Sequence, residues 1–503
     1  MTGLNRTDLP TSHKVQLAAS ALAGQGIYGA ITDLAQTFDV SRPTVYGAAQ
    51  TAEDVLTQYF EASVTGEQSV VVDEKQLKRM VIGLRIVAPN SIRAIEDLIP
   101  VVYPGVCVSY GKIQQILIEA ETCAAEFNAG CELSKIKAGA LDEMFSQGSP
   151  VLAGVDLDSG FLFSLALRES RSGDDWAEVL KTAKAQGLDL SKVVKDAAQG
   201  IAAGVSRIFP DAEQRDDCFH AFYRMAKLKQ YLERRGYGAI SREQEAEKKL
   251  EEIRRTGKGD LVQAEENLAA AKQNCAEILT LHDGFETAMR EVMDAMEFVD
   301  LETGRIRNAE EMEAAIKAAA SKMLTLNHKH CVKEGKYIGN RAAGLALYMG
   351  EMKNELDALA ERYGETAIRL AGLVFRLTQE LHIQNRPWDR RRDEQHLLGA
   401  LAMLQDTASN NTPAVLCSVK EVIQRRHRAS SAIEGFNAAL RPFLYVHKGV
   451  TDGFLELFRA YHNLKTRRWG RHKGTSAHEC LTGERVEDWL SKLGYPPSDA
   501  VSN

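Results

Sequence analysis

The chain has 503 residues, a formal net charge of −7 and 44% hydrophobic residues. That length exceeds what one hydrophobic core fills and predicts about three or four domains. The balance is that of a soluble globular protein and excludes one that is basic throughout. No apolar run approaches the roughly 18 residues of a membrane span. The polar start, residues 1–13, lacks the apolar stretch of a signal peptide. Eight cysteines without C-x-x-C pairs point to reduced thiols in the cytoplasm rather than disulfides. Charge is unevenly spread. Residues 420–473 hold 12 Lys/Arg against 4 Asp/Glu, with four histidines, whereas acids dominate 241–311. Basic character confined to segments fits a polyanion held at particular surfaces, although a solvated face has the same composition.

In chain order, 30–56 predicts two helices around a Phe38-Asp39-Val40 turn. Ile31, Leu34 and Ala35 share one face of the first. Ser41 caps the second, and Pro43 sits in its first turn, where a missing N–H costs little. This is the helix-turn-helix pattern, in which Ser41, Arg42, Thr44 and Tyr46 would face DNA. A plain helical hairpin shares the spacing. Residues 91–119 repeat the theme. One helix ends before Pro100, and another opens at Ser109 with Tyr110, Lys112 and Gln115 on its polar face. Two such heads in series suggest a long DNA site read in adjacent grooves.

An α/β segment follows. Strands are predicted over 137–146, 151–155 and 161–167, then a helix over 174–185 with Trp176, Val179, Leu180 and Ala183 buried, then a strand over 193–196. After a small-residue helix come Phe209-Pro210, a polar turn and Asp217-Cys218-Phe219-His220. From about 230 to 417 the pattern is helical, with a glycine-turned antiparallel hairpin over 241–281 and further helices over 309–326 and 342–363. Residues 385–392 read as a basic loop carrying Trp388, able to touch DNA or to serve as a solvated connector. His328, His330 and Cys331 lack the second ligand pair that a zinc site needs. Residues 428–441 read as one helix with Glu434, Asn437 and Arg441 on a polar face. A basic, aromatic tail, 461–470, includes Lys465, Arg467 and Arg468.

An acid on the first strand, Asp142, and another ending the fourth, Asp196, stand 54 residues apart; Glu434 follows 238 residues later. Carboxylates suit Mg²⁺, a hard ion that takes oxygen ligands. Two such ions roughly 4 Å apart can activate an attacking oxygen and neutralise the leaving 3′-oxygen of a phosphodiester. Asp156 and Asp158, in V-D-L-D-S-G, are the rival first acids. They occupy a turn between two strands, and on the residues alone the choice between them and Asp142 stays open.

The run V-V-K-D-A-A-Q-G-I-A-A-G-V-S-R-I-F-P-D-A-E-Q-R-D-D-C-F-H, the block R-A-S-S-A-I-E-G-F-N-A-A-L-R and the late K-G-T-S-A-H-E-C-L-T-G resemble bacterial insertion-sequence DDE transposases, nearest to the Mutator-like and hAT-like groups. The resemblance covers roughly 137–223 and 427–483. It implies a mixed α+β, mostly helical chain: helix-turn-helix modules, then a ribonuclease H-like catalytic domain split by a large all-helical, coiled-coil-containing insertion. The implied domains are 1–65 and 66–131 (DNA binding), 132–229 (first catalytic part), 230–418 (insertion) and 419–503 (last catalytic part). It further implies two Mg²⁺ ions, with Mn²⁺ able to substitute, ligated by Asp142, Asp196 and Glu434. Asp217, His220 and Asn437 would support the site, and Arg441, Lys465, Arg467 and Arg468 would hold phosphates. The implied partners are double-stranded DNA, as element terminal repeats and target, and at least a second copy of the chain, with no membrane. The implied setting is a bacterial cytoplasm, at the nucleoid.

Overall fold

The computed structural model describes residues 9–65, 73–384, 386–446 and 449–498. Residues 1–8 of the polar start and Asn385 of the expected basic loop lie outside them. The described backbone divides into two compact units, one of residues 9–65, 73–77 and 97–108, the other of 78–96 and 109 onward.

The first unit opens with α1 (Thr11–Ala23), α2 (Ala30–Thr37) and α3 (Arg42–Thr65). Leu17, Ala21, Val45, Ala48 and Ala49 form its core, and Ile31, Leu34, Ala35 and Phe38 pack against it. The apolar spacing of α2 thus turns the expected face, half-buried, onto this core. The Ser41 hydroxyl accepts the Thr44 N–H at 3.4 Å, capping α3. Next come α4 (Glu74–Ile86), α5 (Ile92–Val102) and α6 (Tyr110–Ala129). Helix α5 does not stop before Pro100 as expected: it runs through the proline to Val102. Proline removes one donor, but Ile95 and Ile99 are fully buried, and their burial outweighs one lost bond. Ser109 caps α6 through the Lys112 N–H at 3.3 Å.

A five-stranded sheet is the centre of the second unit. Its strands are β1 (Ala138–Ser146), β2 (Ser149–Asp156), β3 (Leu162–Leu167), β4 (Lys192–Lys195) and β5 (Glu213–Asp216), in the spatial order β3-β2-β1-β4-β5. β1 pairs antiparallel with β2 and parallel with β4; β4 pairs parallel with β5. Helices α7 (Gly173–Ala185) and α8 (Gln199–Ile208) make the crossovers. On one face Leu141, Leu152, Phe163, Val193 and Ile201 close around Trp176. Side chains alternate across a strand, so Asp142 lies on the other face.

β5 falls where a polar turn was expected. Its E-Q-R-D sequence lacks the apolar signal of a strand because its side chains pair with helices instead. Arg215 bonds Glu351 at 3.0 Å, and Arg341 bonds Asp216 at 2.7 Å. This covering blunts an open sheet edge. A Cβ at Gly344 would sit 2.1 Å from the Asp216 carboxylate, so only glycine allows the approach.

The helical region begins with α9 (Cys218–Thr256) and α10 (Leu261–Ala295), an antiparallel hairpin turned at Gly257, whose φ is 65°. There follow α11 (Ala309–Thr325), α12 (Lys329–Ala346), α13 (Tyr348–Tyr363), α14 (Glu365–Ile383), α15 (Pro387–Ala408) and α16 (Thr412–Gln424). The helix expected over 342–363 is broken at Leu347, beside the fully buried Tyr348, whose hydroxyl donates to the Met296 carbonyl at 2.8 Å. The basic stretch expected as a loop is the first turn of α15, with Pro387 at its start, where proline is favoured. The chain closes with α17 (Ser431–Val446), α18 (Asp452–Leu464), α19 (Ala477–Thr482) and α20 (Trp489–Lys492). α17 starts three residues later than expected. Residues 428–430 are irregular, where Arg428 pairs with Glu297 at 2.9 Å and Ser430 bonds Asp217. No described helix is long and apolar enough to cross a membrane.

Candidate active site

Strand β1 is central in the sheet, and Asp142 lies at its middle. Leu141 pairs with Lys195, the last residue of β4. Asp196 follows at once and therefore emerges beside Asp142. Its carboxylate accepts the Ala198 N–H at 2.7 Å, which fixes the turn into α8. Glu434 lies in the first turn of α17, the helix crossing the Asp142 face. One turn on, Asn437 is buried and donates from Nδ2 to Asp142 Oδ2 at 2.6 Å. The backbone N–H of Glu143 donates to the other oxygen at 2.8 Å.

Burial pushes the Asp142 carboxyl up to about 7; the two hydrogen bonds oppose this, and the charges of Asp196 and Glu434 add to it. Asp142 is thus within electrostatic reach of both Asp196 and Glu434. The Asn437 carbonyl oxygen is buried without a hydrogen-bond partner. A set of hard oxygens with unbalanced negative charge fits Mg²⁺ in donor chemistry. The trio is open rather than clenched. Among the described residues, the three-residue group whose ligand atoms all lie within 4.8 Å is His282, Asp283 and Glu286, far along α10. Glu286 there is already paired with Lys229 at 2.7 Å and Arg290 at 2.9 Å.

The rival acids have other employment. Asp156 is buried in the β2–β3 turn, where it takes the Ser159 N–H at 2.8 Å and the Ser159 hydroxyl. Asp158 pairs with His427 at 3.3 Å, and that hydrogen bond, more than the nearby Arg471 and Lys192, holds its carboxyl below the usual range. Gly139 pairs with Asp156, so this turn lies toward the start of β1, away from Asp196.

Of the expected supporting residues, Asn437 touches an acid. Asp217 is buried and caps α9 through the Phe219 N–H at 2.8 Å, while its other contacts are to Ser430. It ties α9 to the segment before α17. His220, half-buried in the first turn of α9, has no hydrogen bond to a described residue. Sequence reading passed over Glu143. Strand alternation places it opposite Asp142, where it pairs with Arg171 at 2.5 Å, and burial raises its carboxyl. The adjacent L-D-E was its signal. An open recess of about 410 Å³ lies between Glu143, Arg171 and the start of α8.

The expected DNA contacts are dispersed. On α3, Ser41 and Thr44 bond each other at 2.8 Å, and Tyr46 is exposed; Arg42 is exposed as well. On α6, Tyr110 lies under Arg93 at 5.3 Å, Gln115 reaches Glu119 at 3.4 Å, and Lys112 is half-buried. Arg441 and Arg468 are exposed. Lys465 lies over the Tyr461 ring at 4.8 Å, and Arg467 donates to the Ser159 carbonyl at 2.5 Å. Arg467 thus braces the β2–β3 turn. His328 lies 3.7 Å from Cys331 and 3.0 Å from Arg235; burial and that arginine lower its pKa.

No protein-family model matches the chain, and no curated protein matches it. Among solved structures the chain has a weak likeness to the Drosophila P element transposase strand transfer complex, at 12% identity and a TM-score of 0.30, over 75% of this chain and 99% of that one.

Proposed function

We propose that the chain is a DDE transposase that cuts DNA at the ends of a mobile element and joins them to target DNA. The observation that supports this reading is that Asp142, on a central strand, lies under the charge of Asp196 at a strand end and of Glu434 on a distant helix. Three strands, a helix and a fourth strand, with acids on the first and after the fourth, is the order that the ribonuclease H-like resemblance implies.

In this reading Asp142, Asp196 and Glu434 hold two Mg²⁺ ions, which would supply activation of the attacking oxygen and neutralisation of the leaving one. Asn437 keeps the Asp142 carboxylate in one rotamer by its 2.6 Å bond. The sheet fixes two of the acids rigidly, and α17 brings the third. Arg42 and Tyr46, exposed at the start of α3, read element ends, while Arg441 and Arg468 contact phosphates, a salt-sensitive role. Joining two ends requires a second copy of the chain.

The test uses labelled element ends and a supercoiled target with Mg²⁺. Wild-type protein is expected to give cleaved ends and joined product, and Asp196→Asn neither, with end binding retained. Cleavage by Asp196→Asn at the wild-type rate overturns the acid assignment. Binding with no cleavage by wild-type protein marks a regulator on an inactive scaffold, and cleavage without joining marks an endonuclease.

A further inference from the structure

Helix α9 leaves the sheet beside the acids. The Asp217 N–H donates to the Lys195 carbonyl at 3.0 Å, one residue before Asp196. Its buried side, Ala221, Met225, Leu232, Gly236 and Ala239, packs on the helical core. The opposite side carries Phe219, Tyr223, Lys227, Gln230, Arg234 and Tyr237, all exposed. These positions recur at three- and four-residue steps, so they form one stripe. Phe219 and Tyr223 stack with ring centroids 6.3 Å apart and planes 12° apart, and the Lys227 ammonium lies 4.3 Å from the Tyr223 ring. Residues 218–240 hold five Lys/Arg and one acid, Glu233. Arg224, Lys229 and Arg235 turn inward to Glu334, Glu286 and His328. Lys227 and Arg234 stay on the stripe with no acid against them among the described residues.

The stripe exposes two stacked rings, Phe219 and Tyr223, at its start and a third ring, Tyr237, fourteen residues on. Duplex DNA cannot use them, because its bases are stacked on each other. A strand with free bases can, since each base offers a face to a ring while cations follow the backbone. We propose that this stripe is a track for single-stranded DNA leading to the acids, a reading that rests on the proposed function above. From Phe219 to Tyr237 the helix rises about 27 Å, enough for several nucleotides of a single strand.

The test is anisotropy of a labelled oligothymidylate of about twelve nucleotides, with EDTA present so that binding is read without cleavage. A duplex and an abasic strand of equal length serve as comparisons. Tyr223→Ala and Tyr237→Ala are each expected to weaken single-strand binding about tenfold. Both leave duplex binding and the melting temperature unchanged, since both rings are exposed. Tyr223→Trp retains affinity. Lys227→Gln and Arg234→Gln each flatten the salt dependence by about 0.7 in log–log slope. Unchanged affinity in the double tyrosine variant overturns the proposal. So does an abasic strand bound as tightly as oligothymidylate, which would mark a charge-only surface open to any polyanion, acidic proteins included. Cleavage by Asp196→Asn would sink the acid reading without touching these affinities.

Discussion

Two aspartate settings lie a few residues apart on neighbouring strands, and they are built on opposite logic. Asp156, with Asp158 beside it in the β2–β3 turn, has its demands met by the protein. Ser159 caps the first, and His427 pairs with the second at 3.3 Å. Asp142 is met by one amide, one backbone N–H and two other acids. An acid satisfied by its own surroundings holds structure together. Burial raises both Asp142 and Asp156; Asp142 differs in having two further acids near it and, among the described residues, no cation paired with it, and such carboxyls cluster at functional sites. V-D-L-D-S-G is the more conspicuous motif; the surroundings favour L-D-E.

The sharpest way to break the comparison is by activity. Asp142→Asn is expected to cut DNA cleavage by at least about a hundredfold, the scale of losing one preorganised electrostatic group. Asp158→Asn should leave the cleavage rate near wild type. Equal losses in the two variants, measured on the same labelled ends, would erase the distinction.

Next in size is the anchor that positions α17. Glu297 is buried with Arg428 at 2.9 Å and Arg426 at 3.8 Å, and the Arg428 guanidinium also donates to the Met296 carbonyl at 3.3 Å. The two arginines hold the Glu297 carboxyl down despite its burial. Glu297→Ala strands two buried cations and should cost about 3–5 kcal/mol of stability, read by urea denaturation. A loss below about 1 kcal/mol would show that the helical region does not anchor α17 through this pair.

Asp156→Ala comes third. It removes the turn's acceptor and leaves Ser159 donors buried, at a cost of about 1–3 kcal/mol. Cleavage by the folded variant should persist. Selective loss of cleavage with stability unchanged would return Asp156 to the acid site.

A separate effect concerns pH. Burial first, then Lys465 and Arg467, pushes the His462 imidazole down to about 3. The ordinary value is 6.5, so the unfolded chain takes up this proton first as pH falls. Stability associated with His462 is therefore full above about 6.5 and declines from there toward 3. His462→Gln should flatten that part of the stability–pH curve without moving its neutral end. An unchanged slope between pH 6.5 and 4 would refute the shift.

Much of the architecture was legible along the chain because it rests on short-range rules. Turn residues bounded β1 to β3, the V-V-K-D run marked β4, Ser41 and Ser109 marked helix starts, and Gly257 marked the α9–α10 hairpin. Each is a local preference that tertiary packing reinforced. Pro100 misled because a local rule met a buried apolar face, and β5 was missed because its E-Q-R-D is stabilised by ion pairs to residues over a hundred positions away. The candidate acids Asp142, Asp196 and Glu434 could be named from residue type, order and the resemblance of their flanking blocks. That Asp142 feels the charge of both others could not: it depends on the parallel register of β1 with β4 and on a helix anchored by Arg428. Chemical potential is written residue by residue, but electrostatic environment is a property of distances, and distances across the fold are set by pairing and packing alone.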